Sequence, residues 1–260
     1  MSALQLQTAM ARLLTSPAFR EQARSDGGES LRAYELTDQE RRELMELLEG
    51  RLGLYAACVS TGKEDFLLSN LPSLVRSRLP EALLRPALRR FNDAHPEVML
   101  HPRDAGLATV LRWLEEDLPS WPEEARAHAR DVLQFERQHL QVLAAQPRYD
   151  RPAGTPMPER LRRHEGWDAG RFAHDVPAGV PGEVCWMFKR DPTGAAITAC
   201  HPLLPDLARA FDRPAAVAEV VAELAAKHRD DPRLGPDVAT AVREVVGDLF
   251  AEGSLRPESA

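Results

Sequence analysis

One stretch of this chain alternates as a half-buried strand does. Val184, Trp186 and Phe188 alternate with Cys185, Met187 and Lys189. Beyond a turn at Asp191-Pro192-Thr193-Gly194, the residues Ala195, Ile197 and Ala199 continue the pattern. Proline fixes one backbone angle of such a turn, and glycine accepts its left-handed position. A four-residue loop pairs Arg190 with Ala195, Phe188 with Ile197 and Trp186 with Ala199, which gathers the apolar residues on one face. A three-residue loop would shift the register and scatter them, so the first register is expected. No convincing alternation occurs before residue 146. A chain with one hairpin and otherwise helical periodicity is mainly α with a small α+β part.

The helical signals run through the first 145 residues. Ser16 followed by Pro17 caps and starts a helix. Thr37 with Glu40 three residues on is a capping box for a helix that carries Leu44, Leu47 and Leu48. Leu52, Leu54, Tyr55 and Val59 mark another helix, and Pro72 starts or kinks one between Phe66 and Leu79. Further helices are expected over Pro80–Ala94, Ala105–Leu118 and Pro122–Ala145. After the hairpin come three more: Pro202–Phe211, one from Pro214 capped by Asp212 or Arg213, and Pro236–Glu252 ended by Gly253. A hairpin followed by three short helices is a winged-helix-like arrangement.

Between the two parts, residues 146–182 hold six prolines and five glycines in 37 residues. Such density breaks helices and sheets. The expected organisation is therefore a helical domain over 1–145, a Pro/Gly-rich linker over 146–182 and a winged-helix-like domain over 183–260.

The chain carries 33 basic and 40 acidic residues, a net charge of -7, which disfavours sequence-independent nucleic-acid binding. Three of the basic residues are lysines and 30 are arginines, the mark of a GC-rich coding bias. The N-terminus has no basic start and no long apolar run, so neither a secretory signal nor a membrane span is expected. An odd count of three cysteines makes no disulfide framework, and the expected location is the cytoplasm. The register sets Cys185 opposite Cys200. In a reducing compartment two small buried thiols are expected there, ahead of a disulfide or a shared metal.

Motifs for catalysis are lacking. There is no His-Glu-x-x-His, no Gly-x-Ser-x-Gly and no phosphate-binding glycine loop after a strand. Glu136-Arg137-Gln138-His139 is one Glu-x-x-His, and a di-iron bundle needs two with further carboxylates. Basic clusters at Arg76, Arg78, Arg85, Arg89 and Arg90, and at Arg160, Arg162 and Arg163, read first as solvated faces. Alternatively they form an electrostatic docking surface for an acidic partner, with Arg76, Arg78, Arg89 and Arg90 the candidate docking residues. The edge of the hairpin offers unpaired backbone groups to an extended peptide. The last helix presents Asp237, Glu244, Asp248 and Glu252 with Arg243, a face that suits phosphates badly.

Three stretches resemble known families. Leu203-Leu204-Pro205-Asp206-Leu207-Ala208-Arg209-Ala210-Phe211-Asp212, then Val217-Ala218-Glu219-Val220-Val221-Ala222-Glu223-Leu224, then Asp237-Val238 and Glu252-Gly253-Ser254-Leu255, resemble PqqD-like domains. Those recognise the leader of ribosomally made precursor peptides. Arg213-Pro214 departs from the family, which often has glycine at that turn. Arg51-Leu52-Gly53-Leu54-Tyr55, Asn70-Leu71-Pro72, Phe91 with His95-Pro96, and Asp131-Val132-Leu133-Gln134-Phe135-Glu136-Arg137 are similar in order to helical partner proteins of multinuclear non-haem iron oxidases that modify peptides. Leu13 to Leu48 is similar to a small helical module also seen in the small subunit of extradiol ring-cleavage dioxygenases.

Taken together, the resemblances imply a non-catalytic partner protein that forms a heterodimer with an iron-dependent oxidase and presents a leader peptide to it. The iron would sit in the partner, with no cofactor in this chain. The family's binding mode places the peptide beside Ala195, Ile197, Thr198 and Ala199 and against Val242, Val245 and Leu249. Ordinary core packing is the competing expectation for the last three. A winged-helix DNA-binding regulator and a ring-cleavage dioxygenase small subunit are the rival expectations.

Overall fold

Helices begin where side chains satisfy the free N–H groups of the first turn. The computed structural model describes residues 3–50, 52–95 and 103–258. Arg51 and Pro96, which carry part of the second resemblance, lie outside them, as do the side chains of Leu52, Leu54, Tyr55 and Cys58. Helix α1 (Ala3–Thr15) is followed by α2 (Pro17–Ser25), where the Ser16 hydroxyl accepts the Phe19 N–H at 3.1 Å. Helix α3 (Asp38–Glu49) opens on both bonds of the Thr37–Glu40 capping box. Pro72 separates α4 (Leu52–Asn70) from α5 (Ser73–Arg78), so it marks a start and not a kink. Then come α6 (Glu81–Ala94), α7 (Arg103–Asp117) and α8 (Glu123–Ala144).

Two units form, Met1–Leu133 and Gln134–Ala260. The division falls inside α8, ahead of the boundary expected near 146. In the first unit Leu13, Phe19, Leu31, Leu44 and Leu48 share one buried cluster.

The second unit contains the β structure. Residues 146–182, expected as a linker, hold β1 (Arg160–Arg163), β2 (Trp167–Asp175) and the start of β3 (Val180–Asp191). The physical reason lies in where the breakers fall. Gly179 sits at positive φ between β2 and β3, and Gly170 sits inside β2 at a point of close packing. A Cβ at Gly170 would collide with Gln138 Oε1 and approach Phe172 Cζ to 2.7 Å. Strand β4 (Gly194–Ala199) pairs with β3 in the expected register, Trp186 opposite Ala199, Phe188 opposite Ile197 and Arg190 opposite Ala195. The sheet order is β2-β3-β4.

Three helices follow, α9 (Leu203–Ala210), α10 (Val217–Lys227) and α11 (Val238–Ala251). Helix α10 starts later than Pro214 because β5 (Ala215–Ala216) pairs with β1, and Glu159 O accepts the Val217 N–H at 2.9 Å. Strand β6 (Leu255–Pro257) completes a small sheet of order β5-β1-β6. The cluster Arg160, Arg162 and Arg163 is therefore a strand.

Both faces of the larger sheet are covered. Trp167 and Ala169 pack with Leu207, Phe211, Val221, Val242 and Val246, and Met187 borders that cluster. On the other face Phe135 of α8 meets Phe188 at 5.0 Å, Phe172 at 5.7 Å and Trp186 at 6.1 Å between ring centroids. The expectation of one apolar face thus captured half of the packing. Burying each such ring contributes roughly 2–3 kcal/mol.

Candidate functional site

Along an antiparallel strand each residue points its N–H and C=O to one side, and neighbours alternate. The Cys200 N–H donates to Cys185 O at 2.8 Å, so Cys200, Thr198 and Ala196 face β3. Ala195, Ile197 and Ala199 therefore turn their backbone groups outward. No hydrogen bond to these outward groups is found among the described residues. The opposite edge differs. Arg190 N–H donates to Gly166 O at 2.7 Å, which turns Trp167, Ala169 and Arg171 of β2 outward. There Trp167 O accepts from Arg163 Nη1 at 2.8 Å, and the Ala169 N–H donates to Asp168 Oδ1 at 2.9 Å. Side chains cap the β2 edge at Trp167 O and the Ala169 N–H, and the β4 edge is open among the described residues.

The C-terminal end of helix α11 reaches β3. Lys189 Nζ bonds Glu252 Oε2 at 2.6 Å, which turns the 252 side of the helix toward the sheet. Helical periodicity puts Asp248, Val245 and Ala241 on that same stripe. Val245 is half-buried, and so is Ala241. Val242 and Leu249, expected to touch a peptide, are 0% and 4% exposed and belong to the core of the unit. They lie on the inward stripe, so Ala241 and Asp248 take their place beside Val245. Thr198 and Ala196 are exposed on the same face of β4 as Met187 and Lys189.

Ionic contacts hold this edge in place. Buried Arg148 bonds Asp191 at 2.8 Å, Glu252 O at 2.7 Å and Ser254 Oγ at 3.0 Å, which ties the hairpin turn to the end of α11. Buried Asp206 of α9 bonds Lys227 at 2.6 Å and His228 at 2.8 Å, both at the end of α10. Burial alone would raise the Asp206 pKa, but these two partners outweigh it and hold the carboxyl below its usual range. Cys185 and Cys200 are free thiols. Burial, with Cys185 nearby, pushes the Cys200 thiol up to about 12, and burial raises Cys185 as well.

The expected docking arginines are largely occupied. Arg89 makes two bonds to Glu64, at 2.9 and 3.2 Å, and Arg90 two to Asp117, at 3.0 and 2.6 Å. Arg85 bonds Asp65 and Glu81, and Arg76 Nε bonds Leu71 O at 3.1 Å. Arg78 is half-buried. The charge of this cluster is mostly neutralised by its own carboxylates, a feature that arginine spacing alone does not reveal. Arg160 likewise meets Glu258 at 2.6 Å. His139 Nδ1 lies 3.4 Å from Glu136 Oε2, and among the described residues no group of three His, Cys, Asp or Glu could hold a metal ion. Among the same residues no helix is long and apolar enough to cross a membrane.

Compared with known proteins, the chain matches no family model and no curated protein.

Proposed function

We propose that this chain is a non-catalytic partner protein that binds the leader of a ribosomally synthesised precursor peptide and presents it to an iron-dependent oxidase. The leader adds as a strand to the outer edge of β4, antiparallel or parallel, beside Ala195, Ile197, Thr198 and Ala199. The iron and the oxidation chemistry belong to the partner enzyme, and the complex is cytoplasmic. The observation that carries this reading is the contrast between the two sheet edges, one partly capped by Arg163 and Asp168 and one left open among the described residues. Each backbone hydrogen bond to an added strand contributes about 0.5–1.5 kcal/mol net. Side-chain selection would come from Val245, Ala241 and Asp248 on α11. The PqqD-like resemblance supports the same reading, because three antiparallel strands precede three helices here. The exposed side of α11 argues against the DNA-binding alternative: Asp237, Glu244 and Asp248 outnumber Arg243 there.

Fluorescence anisotropy with the full-length chain and labelled leader peptides encoded beside its gene tests the proposal. Ala199→Pro removes an outward N–H and leaves the β3 ladder intact, so it should weaken binding at least about tenfold. If no such leader binds, or if the proline variant binds as tightly as the parent, the proposal fails.

A further inference from the structure

The capped edge of β2 lies in a cleft of about 360 Å³. Gln134 and Gln138 of α8 form one wall, and Pro205, Ala208 and Arg209 of α9 form the other. Asp168 to Arg171 supply the floor, with Arg163 and Asp212 beside them. Because Trp167 O and the Ala169 N–H are already bonded, this floor offers an added strand fewer free backbone groups than β4 does. Side chains are the main recognition groups here.

The charges divide into two sets. Arg163 lies 3.0 Å from Asp168 and 2.8 Å from Asp212, so these three groups hold one another. Arg209 remains, and Arg171 is held only by long ion pairs and by its contact with Cys185. The carboxylates nearest Arg171 are Asp206 at 3.7 Å and Glu183 at 3.8 Å, beyond hydrogen-bond length. Asp206 has closer partners in Lys227 and His228. Arg209 is exposed and makes no ion pair among the described residues. Among the lining residues themselves three arginines face two aspartates, with Glu183 and Asp206 behind Arg171, so the exposed positive charge of the cleft is centred on Arg209.

We propose that this cleft is a carboxylate-binding site, in which Arg171 and Arg209 clamp the anionic group of a ligand from the two sides. Planar guanidinium forks match a carboxylate with paired hydrogen bonds, and the apolar faces of Pro205 and Ala208 accommodate the short carbon stem behind it. The carboxylate comes from a small free polycarboxylic acid or from an acidic side chain of a peptide. The site is independent of the β4 edge.

Isothermal titration of the full-length chain with citrate, and separately with acetylated, amidated Ala-Glu-Ala-Glu-Ala, tests this at low salt. Binding of either probe that falls at least about tenfold in both Arg209→Gln and Arg171→Gln, and that persists in Ala199→Pro, supports the site. Citrate alone identifies a free acid as the ligand, and the peptide alone identifies an acidic segment. Arg209 is on the surface, so its variant stays folded and keeps the test sound if Arg171→Gln unfolds. Binding of neither probe at millimolar concentration overturns the proposal. So does binding that Arg209→Gln leaves unchanged, or binding that inorganic phosphate matches in both affinity and sensitivity to the substitutions.

Discussion

Asp206 links two helices of the second unit through its charge. Its carboxylate is buried and bonds Lys227 and His228, so it joins α9 to α10. Replacing it by asparagine should cost about 2–3 kcal/mol near neutral pH, the range for a buried charge-assisted bond. The folded pKa lies below the unfolded value near 3.9, so the folded state binds fewer protons there. The contribution is complete above about pH 4 and fades as pH falls through the lower folded value. Urea denaturation of the parent and Asp206→Asn at several pH values should show the gap closing only in acid; a gap that stays constant to pH 3 refutes the assignment. The thiols give a second test. A group at about 12 has roughly a thousandfold less thiolate at neutral pH than a free cysteine near 8.5. Iodoacetamide should therefore leave Cys200 and Cys185 almost unmodified in the native protein and label both in urea, as followed by peptide mass spectrometry. Rapid native labelling of Cys200 would contradict its burial. The opposition of these two cysteines was legible in the sequence because turn length sets register. The roles of Val242 and Leu249 were not, because periodicity finds the apolar stripes of a helix without saying which one faces inward.

Strand β4 shows how alternation separates function from stability within one element. Its even-numbered residues bond β3, and its odd-numbered residues from Ala195 to Ala199 point outward. Thr198→Pro removes a ladder bond and should cost about 2–3 kcal/mol, while Ala199→Pro should cost about 1 kcal/mol or less. Thermal midpoints of the two variants check this, and a larger loss in Ala199→Pro would mean that the strand is registered the other way. The hairpin could be read from sequence because its turn and its alternation agree. Strand β2 could not, because Gly166 and Gly170 resemble breakers and its register shifts between Phe172 and His174. Gly170 is there for space, since Gln138 and Phe172 occupy the place of a Cβ. That reason exists only once α8 lies on the sheet. Strands β1, β5 and β6 are two to four residues long and carry no periodicity to detect.

At the scale of the whole chain, the composition shift near 146–182 points to a boundary but misplaces it. The second unit begins within α8, at Gln134, because Phe135 supplies the ring that covers Phe172, Trp186 and Phe188. A fragment of residues 183–260, the domain suggested by sequence, lacks Phe135, Leu161, Trp167 and Phe172. All four are at most 1% exposed in the structure. Truncating a buried Leu, Phe or Trp costs roughly 2–5 kcal/mol. Losing four together, with β1 and β2, exceeds the roughly 5–15 kcal/mol by which a domain of this size is stable. A fragment of residues 134–260 retains every one of these groups and both sheets. It should unfold in a single cooperative urea transition with dispersed amide signals, whereas 183–260 should show neither. The comparison bears directly on where peptide binding resides. If 183–260 folded cooperatively by itself, β2 and Phe135 would be dispensable to the frame that holds β4, and the contrast between a capped and an open edge would lose its structural basis.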